Sequence, residues 1–129
     1  MQLRSRKAGA LAIAGMTCAA MFAGAPEASA MTWEYQMHTD DGDPGGVIKF
    51  TRDGDYIQLC DIEADGWAVS GQVSDNTNGY SLQIGGNGRC TTVNAKTHDL
   101  KEDVHISVRV CLIRSGRESY CDTSSWFNG

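Results

Sequence analysis

GDYIQLCDIEADGWAVSGQV, residues 54–73, is the stretch that indicates the fold of this chain. Apolar and polar residues alternate on both sides of Asp65-Gly66, and Asp-Gly is a favoured dipeptide for a hairpin turn. The stretch therefore predicts two strands folded back on each other. It also carries Cys60 and a close run of acids, Asp61, Glu63 and Asp65, so it is the first candidate site.

Strand patterns continue on both sides of this stretch. Asp53-Gly54 predicts a two-residue hairpin turn, and polar or glycine-rich breaks separate the later runs. Short strands with turns every eight to twelve residues or so are typical of an antiparallel β-sandwich. We therefore expect an all-β fold, a small antiparallel β-sandwich of seven or eight strands with two disulfides. The predicted strands after the linker described below are residues 47–52, 55–62, 67–74, 80–84, 89–93, 103–113 and 118–126.

The first thirty residues have the pattern of an export signal. Arg4, Arg6 and Lys7 precede an apolar run rich in small residues, and Ala28-Ser29-Ala30 is a small-x-small cleavage site. A retained membrane anchor is the alternative, but the cleavage site and the lack of a stop-transfer pattern favour secretion. We expect a signal peptide at residues 1–30, a secreted, extracellular protein that starts at Met31, and no membrane association after cleavage.

The net charge of the chain limits the classes of molecule that it is expected to bind. The leader contains three of the 11 basic residues and one of the 16 acidic residues, so the remainder carries a net charge of −7. Such a surface repels nucleic acid and anionic membranes. We therefore expect other secreted proteins as partners, with no nucleic acid.

Four cysteines follow the leader, namely Cys60, Cys90, Cys111 and Cys121. In a short exported chain an even number of cysteines indicates a disulfide framework. Of the three possible pairings we favour Cys60–Cys90 with Cys111–Cys121, because the second bridge would close the last predicted hairpin. No C-x-x-C pair is present, so neither zinc binding nor thioredoxin-type redox chemistry is indicated.

The segment that follows the leader combines an aromatic strand with a polar connection. TWEYQM, residues 32–37, alternates strictly, and HTDDGDPGG, residues 38–46, predicts a flexible, solvated linker. The strand either pairs within its own sandwich or reaches another protein by β-augmentation. We expect residues 31–46 to form this strand and linker and residues 47–129 to form the sandwich domain. The candidate partner-binding residues are Thr32, Trp33, Glu34, Tyr35, Gln36 and Met37.

Motifs for metal binding and catalysis are weak or missing in the sequence. Asp61, Glu63 and Asp65, followed by Gly66, match the first half of an EF-hand loop, which makes them a weak calcium candidate. The final ligand position holds Gln72, and the flanking residues predict strands where an EF-hand has helices. No nucleophile elbow or H-E-x-x-H motif is present. We therefore expect a protein that is not an enzyme and needs no cofactor.

Several short motifs resemble a recurrent pattern of small secreted actinobacterial proteins. The pattern G-D-x4-C-D-x2-A-D-G occurs at residues 54–66, R-V-C-L at residues 109–112 and C-x4-W at residues 121–126. Within that group the chain resembles the adaptor subunit of umbrella toxin particles. The resemblance implies an adaptor that joins lectin-bearing subunits to a repeat-containing toxin subunit, partly through an extended N-terminal strand. Residues 32–37 would correspond to that strand.

Three functions follow as hypotheses from these observations. The first is a non-enzymatic protein-binding module, an adaptor in an extracellular toxin complex that engages its partner through residues 32–37. The second is a secreted protease inhibitor that presents residues 94–101 or residues 114–117 as a substrate-like loop. The third is a calcium-stabilised structural module.

Overall fold

The computed structural model describes residues 31–129, and the expected signal peptide at residues 1–30 lies outside this range. Residues 32–129 form one compact unit. Within the described range no helix is long and apolar enough to cross a membrane. The strands are β1 Tyr35–His38, β2 Gly46–Thr51, β3 Tyr56–Asp61, β4 Ala68–Ser74, β5 Gly79–Ile84, β6 Cys90–Val93, β7 Val104–Arg114 and β8 Arg117–Asn128.

The strands form two antiparallel sheets of four strands each. Sheet A has the order β1-β2-β3-β6 and sheet B the order β5-β4-β7-β8. The chain passes from sheet A to sheet B after β3, returns after β5, and passes to sheet B again after β6. The predicted all-β fold of seven or eight strands with two disulfides is confirmed, and the described residues form eight strands.

The predicted hairpin within residues 54–73 is wrong, because β3 and β4 lie in different sheets. β3 pairs with β2 and β6, whereas β4 pairs with β5 and β7. Leu59 on β3 and Val69 on β4 are both completely buried, and they face the same core from opposite sheets. Alternating apolar residues identify a strand that is buried on one face, but the alternation is the same for neighbours in one sheet and for strands stacked face to face. Gly66, with a φ of +79°, turns the chain within the crossing between the sheets.

The hairpin between β2 and β3 is confirmed, but its loop is longer than the predicted two-residue turn. Thr51 pairs with Tyr56, which leaves residues 52–55 as the loop. The N–H of Asp55 donates to the carbonyl oxygen of Arg52 at 3.3 Å. Gly54 has a φ of +92° and Asp55 a φ of +53°, so two successive residues are in the left-handed region. This conformation turns the side chain of Asp55 into the protein, where it is almost fully buried.

The core lies between the two sheets and includes the predicted apolar face of the long strand β7. The side chains of this face from Ile106 to Leu112 are buried, as expected for alternate residues on one face of a strand. Three aromatic rings stack at one side of the core: Tyr35 lies 6.0 Å from Phe50 and 5.4 Å from Trp126 between ring centroids. The other buried members of the core are Met37, Ile48, Ile57, Leu59, Val69, Val73, Leu100, Ile106, Val108, Val110 and Leu112.

Both predicted disulfide pairings are confirmed, and each bridge joins two adjacent strands of one sheet. Cys60 on β3 lies opposite Cys90 on β6 in sheet A. Cys111 on β7 is bonded to Cys121 on β8 in sheet B, at a β-bulge where Tyr120 and Cys121 lie opposite it. Tyr120 has a φ of +53° there. Two disulfides are compatible with an extracellular protein.

Candidate functional site

The predicted partner-binding segment pairs within its own sandwich. β1 runs antiparallel to β2, with Tyr35 opposite Phe50 and Met37 opposite Ile48. Met37 is only 8% exposed, and Trp33 and Tyr35 are half-buried, whereas Thr32, Glu34 and Gln36 are exposed. The sequence allowed residues 32–37 either to pair within their own sandwich or to pair with another protein. The structure has the first arrangement.

A hydrogen-bonded loop connects β1 to β2 where the sequence predicted a flexible linker. The N–H of Thr39 donates to the carbonyl oxygen of Gly46 at 3.0 Å, and the Thr39 hydroxyl donates to Asp41 at 2.6 Å. The same hydroxyl oxygen accepts a bond from the N–H of Gly46, and Asp40 donates to the carbonyl oxygen of Tyr120 in the bulge of β8. Composition predicted solvation of this segment, but the buried Thr39 and the Asp41 carboxylate satisfy its backbone locally.

Glu34 fastens the start of the N-terminal segment to the β2–β3 loop. Its carboxylate accepts hydrogen bonds from the backbone N–H of Arg52 at 2.7 Å and from the Arg52 guanidinium at 2.9 Å. It also accepts a bond from the Thr51 hydroxyl at 3.2 Å. The hydrogen bonds from Arg52 lower the pKa of Glu34 from its usual 4.5 to about 2, so this carboxylate is charged under almost all conditions.

The outer side of β1 is an open edge of sheet A. Backbone groups of an antiparallel strand alternate between its two sides, and Thr39 already bonds to β2. Met37 and Tyr35 lie two and four residues before Thr39, so their backbone groups also face β2. The N–H and C=O groups of Gln36 and His38 therefore point away from β2. Among residues 31–129 no strand pairs with that side. Such an edge is a template for a strand from another chain.

The structure sets Asp61 apart from Glu63 and Asp65, the other two acids of the weak calcium candidate. Asp61 is buried, and its carboxylate accepts the N–H of Glu63 at 3.3 Å and the N–H of Gly86 at 2.9 Å. It therefore holds the β3–β4 crossing against the β5–β6 loop, and it does not belong to the group of acids that includes its two acidic neighbours. Glu63 and Asp65 lie close to Asp41 instead, with carboxylate oxygens within 4.8 Å of one another. An EF-hand loop needs its acids on one turn, and the crossing between sheets does not provide that geometry.

The crowding of acids changes the pKa of Glu63. Its pKa is raised from 4.5 to about 7, mainly by a hydrogen bond with the Asp43 carboxyl group. Burial and the negative charges of Asp43 and Asp65 act in the same direction.

This shift predicts a specific pH dependence of stability. In the unfolded chain Glu63 loses its proton near pH 4.5, and in the fold it does so near pH 7. The folded state therefore binds more protons between these values, so its stability falls as the pH rises from 4.5 to 7. We expect Glu63→Gln to reduce the fall in Tm between pH 5 and pH 8, measured by circular dichroism. Asp122→Asn, at an exposed acid on β8, is the matched control, and an unchanged pH profile in Glu63→Gln would contradict the expectation.

An aromatic group lies at the same end of the sandwich as these acids. The Arg114 guanidinium lies 5.3 Å from the centre of the Trp67 ring, and Tyr120 meets that ring edge-on at 6.1 Å. Arg114 is therefore held against an aromatic face, which the sequence did not reveal because the two residues are far apart in the chain.

Comparisons of the chain with protein-family models, with curated proteins and with solved structures find no match.

Proposed function

We propose that the protein is a secreted, non-enzymatic binding module that receives a strand of another protein on the open edge of β1. The observation that carries the proposal is the position of β1 as the outer strand of sheet A, with outward backbone groups at Gln36 and His38. Backbone hydrogen bonds to an added strand provide affinity, and the side chains beside them provide specificity. The two disulfides suit such a module in an oxidising, extracellular environment.

The packing of β1 favours adding a partner strand over donating β1 to a partner. Withdrawal of β1 would expose Met37, remove Tyr35 from its stack with Phe50 and Trp126, and break the bonds between Glu34 and Arg52. Addition of a strand on the outer side of β1 breaks none of these contacts. In this arrangement Trp33, Tyr35 and Met37 hold the edge in place, while Thr32, Glu34 and Gln36 are available to the partner.

The partners remain those implied by the resemblance. As an adaptor in an extracellular toxin complex, the protein would join lectin-bearing subunits to a repeat-containing subunit. An adaptor needs two surfaces, and the edge of β1 is proposed as one of them.

A proline on the edge strand tests the strand-addition mechanism. The N–H of Gln36 points away from β2, so Gln36→Pro removes a donor from the open edge and none from the pair with β2. We expect this substitution to reduce partner recovery from culture supernatant roughly tenfold or more, since an added strand loses a hydrogen bond and meets the proline ring. Recovered proteins are identified by mass spectrometry.

The control for this experiment is Gln36→Ala, which removes the same side chain but keeps the N–H. It should recover the partner as well as the unchanged protein does. Both variants should retain the Tm to within a few degrees, because neither alters the pairing of β1 with β2. Equal recovery by Gln36→Pro and Gln36→Ala would reject strand addition at this edge.

The structure gives less support to a protease inhibitor. Within residues 94–101 the N–H groups of Thr97 and His98 both bond to the carbonyl oxygen of Asn94, which makes a folded turn. Ser115 and Gly116, both with positive φ, form the tight turn between β7 and β8. A substrate-like inhibitory loop needs an extended, exposed backbone, and neither segment has one. Absence of stoichiometric inhibition across a panel of serine and cysteine proteases would dismiss this alternative.

A further inference from the structure

Three aspartates of this small domain are almost completely buried: Asp55, Asp61 and Asp75, each 1% exposed. The carboxylate of Asp61 accepts two backbone N–H groups, as described above. The carboxylate of Asp75 accepts three, from Thr77 at 2.9 Å, Asn78 at 2.7 Å and Lys101 at 2.8 Å. These bonds lower the pKa of Asp75. Backbone N–H groups therefore satisfy the buried carboxylates of Asp61 and Asp75.

Asp55 differs from the other two in its surroundings. It accepts one backbone N–H, from Leu100 at 2.9 Å, and one side-chain donor, the amide nitrogen of Asn128 at 3.1 Å. Two further carboxylates, those of Asp99 and Glu102, lie beside it, with oxygens of all three groups within 4.8 Å of one another. Burial raises the pKa of Asp55, and the neighbouring Asp99 raises it further.

No cationic side chain balances this group of acids within the described part of the chain. The salt bridges there join Arg52 to Glu34 and Arg109 to Glu118, and neither involves the three carboxylates. A buried carboxylate without a counter-charge is costly, so nature either protonates it or pairs it with a cation. The pKa of Glu102 is raised, as that of Asp55 is. Burial is the main cause, and the negative charges of Asp55, Asp99 and Asp103 add to it.

Asn128 provides an independent indication of a ligand. Its side chain is completely buried, and its amide nitrogen donates to Asp55 and to the carbonyl oxygen of Lys101. Its amide oxygen has no hydrogen-bond partner among residues 31–129. The amide oxygen and the amide nitrogen that donates to Asp55 are bonded to the same carbon atom, so this oxygen lies in the neighbourhood of the Asp55 carboxylate. A buried carbonyl oxygen that is left without a donor loses its hydration, and a bound cation would restore a partner to it.

We propose that Asp55, Asp99 and Glu102, together with the amide oxygen of Asn128, bind a calcium ion. All four groups are hard oxygen donors, which match Ca²⁺ and not the softer transition metals. Oxygens on opposite sides of Ca²⁺ are about 5 Å apart, since each Ca–O distance is roughly 2.3–2.6 Å. The 4.8 Å limit on the carboxylate oxygens is compatible with that spacing. Asp99 and Glu102 are exposed, so the ion and its remaining water ligands reach the site from solvent.

The position of the site suggests what the ion would do. Asp55 ends the β2–β3 loop, Asp99 and Glu102 belong to the long connection between β6 and β7, and Asn128 ends β8. A single ion would therefore join loops and strand ends from both sheets at the end of the sandwich opposite the Glu63 cluster. This site contains none of the residues of the calcium motif in the sequence, and it is independent of the edge of β1.

The test is a calcium titration of EDTA-treated, dialysed protein at pH 7.5, with Tm and isothermal calorimetry as measurements. We expect CaCl₂ to raise the Tm saturably by roughly 5 °C or more at 10 mM, with a dissociation constant on the order of 0.1–1 mM, as in extracellular calcium modules. MgCl₂ should raise it less, because Mg²⁺ demands a rigid octahedral site. Glu102→Gln and Asp99→Asn should each lose most of the calcium response.

Glu63→Gln is the matched control, since it removes a carboxylate from the other acidic cluster and should keep the full calcium response. The proposal is overturned if CaCl₂ does not bind, or if Glu102→Gln and Asp99→Asn respond as the unchanged protein does. It is equally overturned if KCl at the same ionic strength reproduces the rise in Tm, because the effect would then be charge screening alone. Asp55 and Asn128 are left unchanged because they also support the fold through buried hydrogen bonds.

Discussion

Phe50→Ala is expected to lower the free energy of unfolding by about 3–5 kcal/mol, as is typical for the loss of a buried phenylalanine. Phe50 is completely buried on β2 and stacks against Tyr35 and Trp126, at 6.0 Å and 6.2 Å between ring centroids. Removal of its ring leaves a cavity between the two sheets. The stacked neighbours cannot close this cavity easily, because Tyr35 belongs to β1 and Trp126 to β8, and both strands are fixed by pairing.

Urea unfolding followed by tryptophan fluorescence measures this effect. Phe127→Ala is the matched control, since Phe127 is next to Trp126 on β8 but is 39% exposed and packs against His105 on the outer face. That variant should lose less than about 1 kcal/mol, because a half-exposed ring leaves no closed cavity. Equal losses in the two variants would contradict the complete burial of Phe50 between the two sheets.

Replacement of Cys60 and Cys90 by alanine is expected to lower the free energy of unfolding by about 3–4 kcal/mol. The bridge closes a loop of 30 residues, so its removal greatly increases the freedom of the unfolded chain. A domain of this size buries a small core and has little stability to spare. The variant should therefore be close to unfolded at 37 °C.

The second bridge is the control for the first. Cys111 and Cys121 are only 10 residues apart, so their replacement by alanine should lower the free energy of unfolding by just under about 3 kcal/mol. Urea titrations of both double variants under the same conditions measure the difference. If loss of the shorter loop destabilises the protein more, native-state packing outweighs loop entropy in this fold.

Individual strands and both disulfides were predictable from the sequence, because alternation and cysteine number report local properties. The pairing of strands was less predictable. Leu59 and Val69 have the same burial whether their strands are neighbours or lie in opposite sheets, so the stretch that contains them suggested a hairpin that does not exist. Only the partners of each strand, which are distant in sequence, distinguish the two arrangements.

The two acidic clusters were also not predictable from the sequence, because their members are distant from one another in the chain. Asp41 joins Glu63 and Asp65 because the β1–β2 loop and the β3–β4 crossing lie at one end of the sandwich. The sequence placed Asp41 in a flexible linker and so could not bring these acids together. Asp55, Asp99 and Asn128 likewise meet only because the β2–β3 loop, the β6–β7 connection and the end of β8 lie together at the opposite end. In an antiparallel sandwich, alternate connections share an end, so the strand order is the signal that finds such groups.

The bridge between Cys60 and Cys90 has a topological consequence for strand exchange between molecules. Both cysteines lie on sheet A, but the chain between them includes β4 and β5 of sheet B, so the bridge closes a covalent ring through both sheets. While it is intact, the two ends of the segment that contains the β4–β5 hairpin stay joined. The second bridge ties β8 to β7 in the same way. Of the four outer strands in the described chain, β1, β5, β6 and β8, only β1 has no residue within a disulfide-closed ring, so a domain-swapped dimer of the oxidised protein that exchanges a single outer strand would exchange β1.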